Sequence, residues 1–257
     1  MKPKIIAVIP CHLASVRFPD KILLNLFNLP MVEHVRRRAS LSKKLSKIYV
    51  ATCDSLISNT LQKYNVKTIK TSNKHKNGTS RVAEAIKDIR CTHVILLQGD
   101  EPLLLPSYVD LLCDRIMENP STDSWNLTAP ISKKNQFTDK SIVKCKLNKK
   151  KEIISLYRSI NNKKIKNIRN NRKILGIIAY KKNFLLKLVK LKESKNELKN
   201  FIEQARIIDN NYTLKSINVP KTLPSINLKK DERIVKNIFK KNLKQKILLN
   251  KILNLDV

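Results

Sequence analysis

Glycine is scarce in this chain: 257 residues hold three, Gly78, Gly99 and Gly176. Neither GxxxxGK[ST] nor GxGxxG occurs, so the two standard glycine-rich phosphate cradles are absent. Aromatic residues make up 5% of the chain, which leaves no evident stacking platform for single-stranded nucleic acid. The five cysteines (Cys11, Cys53, Cys91, Cys113 and Cys145) are odd in number, scattered and without a CxxC pair. That argues against a disulfide framework and against a zinc site. They read as small buried apolar residues, Cys11 standing apart because it opens a loop. No apolar run approaches the roughly 18 residues that cross a bilayer. The opening MKPKIIAVIPCHL reads as a buried strand rather than a signal peptide. A cytoplasmic protein with no membrane partner is the expectation.

Acidic residues are also few, 20 against 53 Lys and Arg, for a formal net charge of +33. Positive fields suit phosphate ligands and nucleic acids alike. Here, however, the excess is Lys, accompanied by Asn and Ile and spread along the whole chain. It reads as compositional background, and nucleic acid is not the expected partner. The length fits one large α/β domain with a small elaboration.

The first half alternates strand and helix. KIIAVIP (4–10) is an apolar run of the kind a buried parallel strand requires, and KIYVATC (47–53), VKTIKT and HVILLQG (93–99) follow it as further strands. Helical patterns occupy 31–45, SLISNTLQKY after a possible N-cap at Asp54, and GTSRVAEAIKDI. This rhythm predicts a doubly wound, mostly parallel sheet, with ligands beyond the carboxyl ends of its strands. The loops after VIP, VATC and LLQ should then share one crevice. In the second half SIVKCKLN, EIISLYRS, KILGIIAY and YTLKSINV read as strands, and FLLKLVKL and ELKNFIEQARII as helices. The charge-rich stretch 161–173 reads as a loop. From Lys229 to Leu253 one or two helices carry apolar residues at 3 and 4 spacing, namely Ile234, Ile238, Phe239, Leu243, Ile247 and Leu248. The expected organisation is a single domain over 1–257, with a first part over about 1–135, a second over about 136–228 and C-terminal helices over about 229–257.

Three segments carry candidate chemistry. PCHLASVRFPDK (10–21) gathers Ser15, Arg17 and Lys21: a hydroxyl, a guanidinium fork and an ammonium suited to a triphosphate. LLQGDEP (96–102) places two carboxylates at a strand's carboxyl end, where Asp100 suits Mg²⁺ bridging phosphate oxygens and Gly99 permits close approach. A turn in which Asp100 or Glu101 caps the next helix is the alternative. HKNGTSR (75–81) joins a Gly-Thr turn to Arg81 near a helix start, a place for an anionic ligand; a simple cap by Thr79 or Ser80 also fits.

In this order the three segments resemble the 3-deoxy-D-manno-octulosonate (Kdo) cytidylyltransferases, whose stretches read roughly PARxxSxRxPGK, HxSGTxR and QGDEP. The resemblance continues through LPMVEHV, VATCD, IVK at Val143 and Lys144, LYRS at Arg158, LGIIAY and IEQAR, covering nearly the whole chain. It implies a Rossmann-like nucleotidyltransferase fold and cytidylyl transfer from CTP to a 2-keto sugar acid, releasing pyrophosphate for lipopolysaccharide biosynthesis. Mg²⁺ as cofactor and a homodimer are implied with it, as are nucleotide binding by the part over about 1–135 and sugar binding and dimerisation by the part over about 136–228. Carried over, Ser15, Arg17 and Lys21 would contact the triphosphate, with Gly78, Thr79 and Arg81 in the nucleotide loop. Gln98, Arg158 and Gln204 would hold the sugar acid. Lys21 and Asp100 would be catalytic, with Asp100 and Asn227 toward the metal.

The chain departs from the family at several of these places. Pro10-Cys11-His12 replaces PAR, and Asp20 replaces the glycine of PGK. Ile174 and Ile178 replace the His and Tyr of HxGIY, Asn200 replaces an acidic residue, and Asn227 replaces the first Asp of GVDTPED. A weakened or inactive nucleotide-binding homologue, or a basic RNA-binding protein on the same fold, would be the alternative readings.

Overall fold

The computed structural model describes residues 2–132, 134–158 and 171–255. Its first strand, β1 (Ile5–Cys11), is buried over its full length. Alternate residues leave it in opposite directions. Ile5, Ala7 and Ile9 join one apolar cluster, and Ile6 and Val8 join another. Burial on both faces is why this strand reads as an unbroken apolar run rather than an alternating one. A two-residue hairpin, β2 (Asn25–Leu26) and β3 (Leu29–Pro30), leads into helix α1 (Met31–Ser40). Then follow β4 (Lys47–Thr52), α2 (Ser55–Gln62), β5 (Thr68–Lys70), α3 (Gly78–Ala85), β6 (His93–Leu97), α4 (Pro106–Glu118) and β7 (Ser124–Pro130). The second half supplies β8 (Lys144–Leu147), β9 (Ile153–Tyr157), β10 (Asn171–Lys181), α5 (Lys182–Leu188), α6 (Lys195–Asn200), α7 (Ala205–Asp209), β11 (Leu214–Asn218), α8 (Lys229–Lys241) and α9 (Leu243–Leu253).

Among the described residues the main sheet runs β11-β7-β10-β6-β1-β4-β5, with β8 and β9 attached to β10. The pairs β1 with β4, β1 with β6, β4 with β5 and β7 with β11 are parallel. Strand β10 is antiparallel to both neighbours, β6 and β7. The doubly wound, mostly parallel sheet expected from the first half is therefore present. One apolar cluster packs α1, α4 and the C-terminal helices on one face, through Val35, Leu112 and Ile252. The other packs α3 and α5 on the opposite face, through Val82 and Leu185.

Several elements differ from the sequence reading. Helix α1 stops at Ser40 rather than running to residue 45. Residues 171–173 of the charge-rich stretch open β10, because their backbone pairs with both β7 and β8. The rest of that stretch, 161–170, lies outside the described residues. The segment ELKNFIEQARII is two short helices, since Phe201 adopts a left-handed conformation (φ 53°) that ends α6. Strand β7 and helix α4 went unread.

The C-terminal apolar pattern also splits. Asn242 is extended (φ −89°, ψ 112°), and its side chain accepts from the Gln245 amide as the cap of α9. That break resets the helical phase. Phe239 is buried as the spacing predicts, whereas Ile234, Leu243 and Ile247 are exposed, and Val235, Leu249 and Ile252 take the inner positions. These helices are fastened by Arg38, whose guanidinium donates to Gln245 Oε1 (2.8 Å) and Leu104 O (3.2 Å) and stacks over Phe239. Gln245 in turn donates to Leu103 O (3.0 Å). The C-terminal helices are thereby fixed to the loop that follows Asp100.

Candidate active site

A cleft of about 1040 Å³ opens at the carboxyl end of β6, where the antiparallel β10 passes beside it. Arg17, Gln98, Asp100, Glu101, Arg158, Gln204 and Asn227 line it, together with residues 174–178 of β10. Two side-chain contacts close the loops around it. Asp54, placed before α2, turns its carboxylate to the Leu13 amide (2.9 Å) instead of capping the helix. Lys21, in a short 3₁₀ turn, reaches Asp100 Oδ2 at 2.5 Å. The three loops expected to share a crevice are thus bonded to one another.

Lys21 is 9% exposed, and its ammonium also donates to Ile226 O (3.1 Å). The Ile226 amide in turn donates to Asp100 O (2.9 Å). Next to this knot Arg17 donates to Asn227 Oδ1 (3.3 Å). Residues 205 and 210 positions apart in sequence thus meet beside one carboxylate. Ser15 stands in the same loop, its amide bonded to Leu13 O (2.7 Å). Asp20, where the resemblance calls for glycine, adopts φ 54° and ψ 11°. This left-handed conformation explains a glycine preference there; Asp tolerates it at some cost, with its side chain exposed. His12 does not restore the charge lost from PAR. Burial and the nearby Arg81 push its pKa below the ordinary histidine value.

The two carboxylates of LLQGDEP part company. Asp100 faces Lys21, whereas Glu101 turns toward β10 and accepts the Gly176 amide at 2.9 Å. Burial, with Asp100 adding to it, pushes the Glu101 pKa up to about 7. Gly176 is obligatory at this contact: a Cβ there would lie 2.5 Å from Glu101 Oε1 and 2.6 Å from Gln98 Cγ. Its carbonyl accepts the Gln98 amide (3.0 Å). Around it the register of β10 against β7 shifts between Ile174 and Ile178, and the buried Asn126 side chain donates to Leu175 O (2.8 Å) and Ile177 O (3.1 Å). The bulge that walls the cleft is therefore held from both sides. Gly99 serves packing rather than ligand approach, since its missing Cβ would meet Ile22 Cδ1 at 2.9 Å and Cys11 Sγ at 3.3 Å. Cys11 is 1% exposed, and burial pushes its thiol pKa up, so it belongs to the core.

Arg158 extends its guanidinium to Asn200 O (2.7 Å), Phe201 O (2.9 Å) and Lys140 O (3.1 Å) at the far side of the cleft. Burial and the field of Arg17 lower its pKa. Its own carbonyl is anchored by the buried Lys144, which also holds Ile142 O (2.9 Å). Burial brings the Lys144 pKa down to about 8. Gln98 and Gln204 face the same cleft, Gln204 being 8% exposed. Ile174 and Ile178, in place of His and Tyr, make that wall apolar.

The HKNGTSR segment lies apart from Asp100. Gly78 packs on Pro10, whose Cγ would be 3.1 Å from an added Cβ. The cap of α3 is Asn77, which accepts the Ser80 amide (2.9 Å), rather than Thr79 or Ser80. Thr79 is buried, its amide donating to Glu203 Oε2 (3.2 Å). Arg81 is 4% exposed and donates to Thr71 Oγ1 (2.6 Å) and Ser72 O (3.2 Å), tying α3 to the end of β5. In this arrangement the Arg81 side chain serves as a tie between α3 and the end of β5. Glu101 and Lys144, named from sequence without this role, and Glu203 and Asn126, not named there, do much of the positioning. Glu203 lies beside the named Gln204, whereas Asn126 gives no local signal.

The donor set around Asp100 suits a hard cation only in part. It offers one carboxylate and one amide oxygen, and among the described residues no three His, Cys, Asp or Glu side chains gather to hold a metal. Mg²⁺ is commonly bound through one or two carboxylates with phosphates completing the shell, which is compatible. Charge in the cleft is balanced: Arg17, Arg158, Lys173 and Lys230 face Asp100, Glu101, Asp139, Glu203 and Asp231. The large positive excess of the chain is thus not gathered here. Among the described residues no helix is long and apolar enough to cross a membrane.

Residues 6–219 match the family model described as cytidylyltransferase. The chain is 36% identical over 225 residues to the 3-deoxy-manno-octulosonate cytidylyltransferase of Thermodesulfovibrio yellowstonii, covering 82% of this chain and 88% of that one. It is 30% identical over 228 residues to the Escherichia coli protein of the same name, covering 87% and 91%. Among solved structures, CMP:2-keto-3-deoxy-manno-octonic acid synthetase complexed with CTP superposes with a TM-score of 0.86 at 29% identity, over 93% of this chain and 100% of that one. The chain belongs to the cytidylyltransferase family and, within it, to the 3-deoxy-manno-octulosonate cytidylyltransferases.

Proposed function

We propose that this chain transfers the cytidylyl group of CTP to the anomeric hydroxyl of Kdo, forming CMP-Kdo for lipopolysaccharide synthesis and releasing pyrophosphate. The observation that carries this reading is the convergence of Lys21 and Arg17 on Asp100 and Asn227, within the cleft that Arg158 and Gln204 also line. In-line transfer at a phosphoryl centre needs positioning and charge neutralisation more than proton chemistry. Lys21, Arg17 and the loop carrying Ser15 would hold the triphosphate. Arg158, with two N–H groups beyond its three carbonyl bonds, would receive the sugar carboxylate, and Gln98 and Gln204 the sugar hydroxyls. Mg²⁺, held through Asp100 with Asn227 as a neutral oxygen donor, would neutralise charge on the departing pyrophosphate. Gly78 and Thr79 would support the nucleotide through backbone placement.

A cytoplasmic location, a homodimer, and the division into nucleotide-binding, sugar-binding and C-terminal parts are proposed on the same family basis. The test is pyrophosphate release with CTP, Mg²⁺ and Kdo, compared with neuraminic acid and other 2-keto sugar acids. Kdo is expected to give the highest kcat/KM, and Asp100→Ala to lower it about 100-fold or more. Release that is equal in Asp100→Ala, or equal without any sugar acid, would reject the reading.

A further inference from the structure

The carboxylate at the end of β6 already has a cation on it. Asp100 Oδ2 holds the Lys21 ammonium at 2.5 Å, with side-chain exposures of 20% and 10%. An ammonium and a divalent cation cannot share that oxygen at full strength, because their like charges would be brought into direct contact.

Among the described residues no cluster of acidic side chains joins Asp100 to compensate. Glu101 is turned to the Gly176 amide. Asp231 is committed as the capping carboxylate of α8, accepting the amides of Asn227 (2.9 Å) and Leu228 (2.8 Å). Asn227 brings no charge, and its Oδ1 is taken by Arg17 at 3.3 Å. A bare metal ion at Asp100 would meet the Lys21 ammonium on the same carboxylate, in a pair largely shielded from water, and would gain one carboxylate in return. A triphosphate changes that balance. Its oxygens offer new partners to both Lys21 and Arg17 while supplying the ligands that the protein lacks.

We propose that this chain admits its divalent cation only as the nucleotide complex, with Lys21 serving as the counter-ion of Asp100 until the triphosphate draws it away. The proposal rests on the reading that places the cation at Asp100, and it assigns the order of assembly to two residues of this chain, Lys21 and Asn227. Lys21 thus has two partners to serve in turn: Asp100, as in this structure, and then phosphate. Because Ile226 O shares the same ammonium, its departure also removes one tie between the 224–228 segment and the loop that carries Lys21.

The test measures Mn²⁺ binding by electron paramagnetic resonance of the free ion, with and without CTP and with no sugar acid present. In the wild-type protein, binding at the site is expected with CTP and not with Mn²⁺ alone. Lys21→Met is expected to create nucleotide-independent Mn²⁺ binding, at least about tenfold tighter than wild type, and adding Asp100→Ala to that variant should remove it. Asn227→Asp, which keeps Lys21, should also raise affinity for Mn²⁺ alone. If Lys21→Met does not retain the wild-type circular dichroism spectrum, Asn227→Asp decides the matter by the same gain or its absence. Wild-type binding of Mn²⁺ that is equally tight without CTP would overturn the proposal, as would a folded Lys21→Met protein with no gain. Ternary Mn²⁺ binding that ignores Asp100→Ala would instead refute the underlying placement of the cation, and the proposal with it.

Discussion

Replacing Glu101 by Gln separates the charge of this residue from its shape. The carboxylate accepts the Gly176 amide at 2.9 Å, and burial together with Asp100 raises its pKa from the ordinary 4.5 to about 7. The folded chain therefore keeps the proton over a range in which the unfolded chain has released it. The favourable contribution is fully present below pH 4.5 and is lost as pH rises through 7. A shift of that size corresponds to about 3 kcal/mol at 1.36 kcal/mol per pH unit. Gln keeps an oxygen for the Gly176 amide and cannot ionise. Glu101→Gln should thus match wild type near pH 4.5 and exceed it by about 3 kcal/mol at pH 8. Urea unfolding followed by circular dichroism, in chelator-containing buffer at several pH values between these limits, measures the difference. A stability difference that stays constant across the range would refute the argument, because it would mean that Glu101 titrates alike in the folded and unfolded chain.

Other consequences concern neighbouring residues. Gly176→Ala drives a Cβ to 2.5 Å from Glu101 Oε1. It should cost about 2–4 kcal/mol in urea unfolding through overpacking and the displaced hydrogen bond, and raise the KM for the sugar acid. Asp20→Gly should raise stability by about 0.5 kcal/mol by relieving the left-handed backbone, leaving kcat no lower; a loss of stability would contradict the account of φ 54° there. Lys144→Met removes the ammonium that anchors the Arg158 carbonyl at 2.5 Å. Steady-state kinetics should show the sugar-acid KM rising more than the CTP KM, and equal rises would contradict a role through Arg158.

The parallel half of the sheet was legible because its strands are buried on both faces, so that β1 and β6 stand out as apolar runs between helices. Strand β7 was not. Its sequence, SWNLTAP, carries Ser124, Asn126 and Thr128, which are buried and polar, and the partners that satisfy them come from β10 and β11 some 50 to 90 residues away. The loop residues Arg17 and Lys21 and the strand-end Asp100 were found from residue type and position. Their mutual pairing was not, because it depends on Ile226 and Asn227 folding back from the far end of the chain. Arg81 shows the opposite limit: a basic residue after a Gly-Thr turn reads as a ligand contact, while its guanidinium is buried on Thr71 and Ser72. Two carboxylates adjacent in sequence likewise read as a pair, yet at a strand end successive side chains point in different directions, and Glu101 went to Gly176.

The central claim, that the knot of Lys21, Arg17 and Asp100 serves cytidylyl transfer, is tested most directly by phosphorus-31 nuclear magnetic resonance of CTP incubated with the protein, Mg²⁺ and Kdo. The account predicts a new phosphodiester resonance rising in step with pyrophosphate, absent when Kdo is omitted and absent with Asp100→Ala. Unchanged CTP resonances, or pyrophosphate accompanied by CMP without a phosphodiester from the outset, would contradict it.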